Sequence, residues 1–217
     1  MKKFDRVLDW FFPSKCVFCR RVLDNRDICH ECAAKLPYTT GDSISQKFNH
    51  VKSCVSPLYY DGVVREAILR YKFWGLQVYA HRFGLIMSDC IENNLDCGDI
   101  DVISWVPLSR KRLRKRGYNQ AQLLAETVSD KLDIPCVPTL KKIVDNPAQS
   151  GTKSSDARKK NVKGVYAYDS AIDLNGKSVL LIDDVVTTGA TLSECAKTLK
   201  DAGAIYIYCA TVARGRD

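Results

Sequence analysis

Apolar residues at positions 4, 7, 8, 11 and 12 recur at helical spacing, and Pro13 ends the run, which predicts a short N-terminal helix over Phe4 to Phe12. Val51 to Tyr60 reads as a strand, and Asp61-Gly62 turns the chain into a helical pattern with Val64, Ile68 and Leu69 apolar. A second helix is expected over Val78 to Ile91. From Asp101 the pattern changes. Strand-like segments at Val102 to Val106, Cys136 to Val144, Val179 to Ile182 and Ile205 to Val212 alternate with helical ones. The helices fall at Gln120 to Leu132 and at Leu192 to Ala202, the latter closed by Gly203. Such alternation specifies a mostly parallel sheet flanked by helices. Asp145 to Lys163 interrupts it with a polar loop rich in Ser, Asn, Gly and Lys, of a kind that is functional or mobile in a compact domain.

A chain of 217 residues can bury one proper core and leave a small appendage, since roughly 100 to 200 residues make a domain. Three stretches follow: 1–40, the first helix with a cysteine module; 50–100, a helical segment; and 101–217, the α/β domain. Asp5, Arg6 and Asp9 interrupt the first apolar stretch, and no small-residue cleavage site follows, so a signal peptide is not expected. No run approaches the roughly 18 apolar residues of a membrane span.

Ten cysteines would suit a secreted disulfide scaffold, but four of them stand in two tight pairs, a pattern that favours a reducing cytoplasm and a metal. Cys16-x2-Cys19 and Cys29-x2-Cys32 can each form a knuckle that offers two thiolates to one tetrahedral Zn²⁺, and four thiolates make that site structural. Redox pairs and disulfides are the competing readings, and His30 could replace one cysteine. Cysteines 54, 90, 97, 136, 195 and 209 are scattered and read as small apolar fillers.

The net charge of +8 is concentrated in Arg110 to Arg116, RKRLRKR, with six basic residues in seven. Such density implies an anion site for phosphate or nucleic acid, against the plainer reading of a solvated charged face. Tyr59, Tyr60, Tyr71, Phe73 and Trp74 mix with Arg65, Arg70 and Lys72, which could stack single-stranded bases or simply pack a hood over the sheet.

The most informative stretch is VLLIDDVVTTGAT, Val179 to Thr191. Its apolar run is a strand buried on both faces, whose carboxyl end is where open α/β sheets bind ligands. Asp183 and Asp184 can accept hydrogen bonds from two ribose hydroxyls. Thr187, Thr188 and Thr191 offer hydroxyls, while Gly189 and Ala190 let backbone amides approach a phosphate at the positive end of a helix. The bland alternative is a buried strand, an acidic turn and a capped helix.

These thirteen residues resemble the phosphoribosyl-pyrophosphate (PRPP) signature of type I phosphoribosyltransferases. WVPLSRKRLRKRGYNQAQLLA, with Arg116, Gly117, Tyr118, Asn119 and Gln120, and LRYKFWG at Leu69 to Gly75 resemble the ComF (ComFC) family of competence-associated proteins. That family joins a four-cysteine zinc module to a phosphoribosyltransferase domain. The resemblance implies the type I phosphoribosyltransferase fold, with catalytic roles for Asp183 and Asp184. It implies PRPP or a similar sugar phosphate as ligand, carried with Mg²⁺. Pyrophosphate would lie at Ser109, Arg110 and Lys111, and Arg112, Arg114 and Lys115 would complete the basic loop. A mobile loop with Gln149, Ser150, Arg158 and Asn161 would close over the site. One departure stands: the family shows Arg-x-Arg-x-Thr-x-x-Gln before that loop, where this chain reads KKIVDNPAQS and keeps only Gln149.

Two functions are therefore expected to compete. One is Mg²⁺-dependent phosphoribosyl transfer to an unnamed acceptor. The other is a module for single-stranded DNA in natural transformation, working with DNA-uptake proteins and keeping PRPP as a regulatory ligand.

Overall fold

The computed structural model describes residues 14–24, 26–145, 163–169 and 172–216. The helix expected over Phe4 to Phe12 and the loop residues Gln149, Ser150, Arg158 and Asn161 lie outside them. In chain order the elements are α1 (His30–Lys35), β1 (Ser45–Phe48), β2 (Val51–Val55), β3 (Leu58–Tyr59), α2 (Gly62–Phe73), α3 (Tyr79–Asn94) and β4 (Val102–Trp105). There follow α4 (Arg110–Arg116), α5 (Gln120–Leu132), β5 (Leu140–Lys142), β6 (Tyr166–Tyr168), β7 (Ser178–Val186), α6 (Ala190–Asp201) and β8 (Tyr206–Arg214).

One sheet organises the molecule. Its order is β1-β2-β8-β7-β4, with β3 also on β8; every pairing is parallel except that of edge strand β1 with β2. This is the mostly parallel α/β architecture of the type I phosphoribosyltransferase fold. Val179 to Ile182 of β7 are wholly buried because both faces of the strand are covered. The two-residue period divides them: Leu180 and Ile182 join Ile103, Tyr208 and the helices α2, α3 and α5 on one face. Val179 and Leu181 join Ile207, Leu140 and α6 on the other.

Three expectations change. The strand expected over Val51 to Tyr60 is two, because Ser56-Pro57 separates β2 from β3, and both pair with β8. The strand expected over Cys136 to Val144 does not join the sheet as a unit. Cys136 makes one parallel bridge to Ile103, Pro138 then supplies no N–H, and Leu140–Lys142 pairs antiparallel with β6 in a separate ribbon. The basic run is a helix, not a loop: the Ser109 hydroxyl accepts from the Arg112 amide at its start, and Gly117 ends it at φ 80° in the left-handed region.

Candidate functional site

β7 carries Asp183 and Asp184 in its carboxyl-terminal half, and the chain then turns through Thr187 and Thr188 to Gly189, which starts α6 at φ 68°. A side chain at Gly189 would overlap the ring of Phe48 on β1, so glycine is required both by φ and by this packing. Phe48 was invisible to sequence reasoning because β1 carries no strong pattern of its own.

Each carboxylate of the pair is half committed. One oxygen of Asp183 accepts from the Asp184 amide at 2.8 Å, and one oxygen of Asp184 takes Lys72 Nζ at 2.7 Å. The second oxygen of each has no partner among the described residues. The Lys72 and Asp184 side chains are 19% and 12% exposed, so this pair is not a screened surface contact. Burial, then the neighbouring Asp184 carboxylate, pushes the Asp183 carboxyl up to about 7; Lys72, the Asp184 amide and Lys142 pull against them. Nothing local in the sequence ties Lys72 to Asp184, 112 residues further along the chain.

The basic helix divides its residues between two environments. Arg110, Lys111, Arg114 and Lys115 are exposed. With Ser109, Lys141 and Lys142, the first three border a cleft of about 640 Å³. Ser109 itself is buried and donates to Asp145 as well as capping the helix. Arg112 and Arg116 are partly withdrawn from solvent. Arg116 donates to Gln120 Oε1 at 2.8 Å, lies 4.9 Å from the Phe73 ring centroid, and is depressed by burial. Arg112 is half-buried and bears electrostatically on Lys142, whose ammonium is lowered by burial first and by Arg112 second.

The segment from Arg116 to Gln120 works as a clamp. Asn119 caps α5 by accepting from the Ala121 amide at 3.0 Å and donates to Val106 O at 3.1 Å. The Tyr118 hydroxyl donates to the carbonyl of Tyr71, and the Tyr71 hydroxyl donates to Gln120 O at 2.8 Å. Tyr71 is fully buried, so α2 is fixed at the residue before Lys72. Of the aromatic and basic mixture, Tyr71 and Arg70 belong to the interior, whereas Phe73 and Trp74 are 61% and 64% exposed, with Arg20 5.8 Å from the Trp74 ring centroid.

Cys16, Cys19, Cys29 and Cys32 place their sulfurs within 4.8 Å of one another, the one such group of metal-ligating side chains among the described residues. Four converging thiols fit a closed structural zinc site. Burial opposes ionisation of Cys16, but the amides of Cys19, Cys29 and Phe18 outweigh it and bring the thiol down to about 7. His30 opens α1 on the exposed side, outside the thiol group. The other cysteines are free, with Cys54, Cys195 and Cys209 buried as apolar fillers and Cys90, Cys97 and Cys136 partly buried.

Residues 119–217 match the phosphoribosyl transferase domain family and residues 7–45 the double zinc ribbon domain family. Similar proteins include Competence protein F of Haemophilus influenzae, 29% identical over 87% of this chain and 85% of its own length. Competence protein ComFC of Bacillus subtilis is 29% identical over 87% and 72%, and DNA utilization protein YhgH of Escherichia coli 32% identical over 50% and 48%. Among solved structures, a purine phosphoribosyltransferase from Pyrococcus horikoshii has 23% identity and a TM-score of 0.37 over 65% of this chain and 74% of its own. The Bacillus subtilis glutamine PRPP amidotransferase has 18% and 0.41 over 61% and 26%. Sheet order, acidic strand end and four-thiol module together define a phosphoribosyltransferase-type protein with an N-terminal zinc ribbon. Over most of its length the chain is similar to the competence proteins F and ComFC, which accords with the ComF (ComFC) resemblance of its motifs.

Proposed function

We propose that the protein binds PRPP with Mg²⁺ and acts in DNA uptake, transferring the phosphoribosyl group to an acceptor. The observation that carries this reading is the half-committed acid pair: two adjacent carboxylates, each fixed through one oxygen, leave two acceptors for the two ribose hydroxyls at the carboxyl end of a parallel strand. Amides from Thr187 to Thr191 would receive the 5′-phosphate at the start of the 12-residue α6. The Ser109 to Lys111 corner would take the pyrophosphate among Arg110, Lys111 and Lys142. Mg²⁺, carried in on the pyrophosphate, would neutralise its charge and ease its departure. Asp183 and Asp184 would hold the ribose and stabilise the positive charge that grows on it. A cytoplasmic location accords with this ligand; among the described residues, no helix is long and apolar enough to cross a membrane.

Purified protein incubated with PRPP, Mg²⁺ and a panel of nucleobases should release pyrophosphate in the presence of one of them. Asp183→Asn with Asp184→Asn should abolish release and weaken PRPP binding by about 1.5–3 kcal/mol per charged hydrogen bond. A folded double mutant with unchanged calorimetric affinity removes the reading. The exposed Phe73 and Trp74 beside Arg20 and Arg116 favour a second one: a single-stranded DNA module in which PRPP is a regulatory ligand. PRPP binding without release on any base would select it.

A further inference from the structure

We propose that Lys72 is a positioning residue of the sugar-phosphate site: delivered by α2, it holds one oxygen of Asp184 and leaves the other for the ribose. The proposal rests on the reading of the acid pair given above and extends it to a residue outside the thirteen-residue strand and loop.

Geometry makes the first argument. Lys72 lies 2.7 Å from one oxygen of Asp184, and both side chains are largely withdrawn from water. Its neighbours are committed elsewhere: Tyr71 is locked to Tyr118 and Gln120, and Phe73 lies beneath Arg116. The clamp thus sets the Lys72 backbone and leaves the side chain to reach the acid pair. A lysine serving only the fold would neutralise a carboxylate that had no other use. This one instead occupies a single oxygen and leaves the other for a ligand.

Charge makes the second. Two adjacent carboxylates in a partly buried site repel each other, and the cheapest relief is protonation of one of them. A protonated carboxyl is a poorer acceptor for a ribose hydroxyl. The groups that bear on the pair are Lys72 and Tyr71 from α2, Arg116 from α4, Lys142 from β5, Tyr166 from β6, Cys195 from α6 and Cys209 from β8. Tyr71, Tyr166 and Cys195 are all pushed toward their neutral forms by burial. Arg116 is engaged by Gln120 and Phe73. Lys72 alone makes a direct ion pair with either carboxylate among the described residues. Its removal should therefore shift the acid pair toward protonation.

The test is calorimetric binding of PRPP with Mg²⁺ to the full-length, zinc-loaded protein between pH 5.5 and 8.5, for wild type, Lys72→Met, Lys72→Arg and the Asp183→Asn/Asp184→Asn double mutant. Lys72→Met should raise the midpoint of the binding profile by roughly one pH unit, which weakens binding about tenfold on the acid side of it. Lys72→Arg should restore the wild-type midpoint. An unmoved midpoint in Lys72→Met, with the double mutant impaired, overturns the role of Lys72 while the acid-pair reading survives. A double mutant that binds like wild type, or a wild type that does not bind PRPP, sinks the reading and the proposal with it. If Lys72→Met does not fold, failure of Lys72→Arg to keep the wild-type midpoint overturns the proposal.

Discussion

At the scale of single residues, Asp183 stores a conflict that the fold could have avoided and did not. Its carboxyl is raised from 3.8 to about 7 by burial and by Asp184, so the native chain holds this proton more tightly than the unfolded chain does. The sign follows from linkage. The contribution to stability is complete below the ordinary carboxylate range and is lost as pH climbs through about 7. Asp183→Asn removes the titration, and the variant should be more stable than wild type at pH 8, with the gain vanishing toward pH 4. Thermal denaturation of both proteins across that range measures the difference, and parallel pH curves would show that Asp183 carries no such conflict. A buried acid that costs stability at working pH is the pattern of a site kept for a ligand.

At the scale of elements, α4 decides what the cluster of basic residues can do. Exposed Lys111, Arg114 and Lys115 remain available to a phosphate backbone, whereas Arg116 is turned in toward Gln120 and Phe73 and Arg112 is half-buried. Changing Lys111, Arg114 and Lys115 to glutamine should flatten the salt dependence of single-stranded DNA binding by roughly one unit of slope for each phosphate that is no longer neutralised. Fluorescence anisotropy of a labelled oligonucleotide across a salt series reads this directly; identical slopes would take α4 out of the DNA interface. That the run is a helix was poorly legible in the sequence. RKRLRKR has one apolar residue, Leu113, and no periodicity, so the signal lay only in the caps Ser109 and Gly117. β7, its acid pair and the loop after it were legible because thirteen consecutive residues carry them. Pro57 and Pro138 mark the breaks after β2 and after Cys136 locally, but which strands pair on either side of them and the reach of Lys72 to Asp184 were not legible, because each depends on residues far apart in the chain.

At the scale of the whole molecule, the zinc ribbon is built into the main core. Cys16, Val17, Phe18, Cys29 and Cys32 are buried in the same cluster as Tyr71, Phe83 and Leu180. The Phe18 ring meets Phe83 of α3 edge-on, with centroids 6.0 Å apart. From α2, the Arg70 guanidinium donates to Phe18 O at 2.5 Å and Val17 O at 3.2 Å. Arg70 stands two residues before Lys72, so one helix end holds the ribbon and reaches the acid pair. A ribbon this short cannot keep its knuckles without metal, and loss of zinc should release the segment that Arg70 and Phe83 grip. Chelation is therefore expected to lower the melting temperature of the protein as a whole rather than to detach a separate transition. A metal held at a thousandfold above its dissociation constant contributes about 4 kcal/mol to the native state. At about 2–4 °C per kcal/mol for a chain of this size, the shift is about 8–16 °C. The same loosening should weaken PRPP binding through α2, and by reciprocity PRPP should raise the affinity for zinc, so that less zinc passes to a competing chelator at equilibrium. The zinc lost at equilibrium can be read with a colorimetric zinc indicator, with and without PRPP and Mg²⁺. A zinc affinity indifferent to PRPP, together with a melting curve that splits in two on chelation, would show that the ribbon and the sugar-phosphate site are mechanically independent.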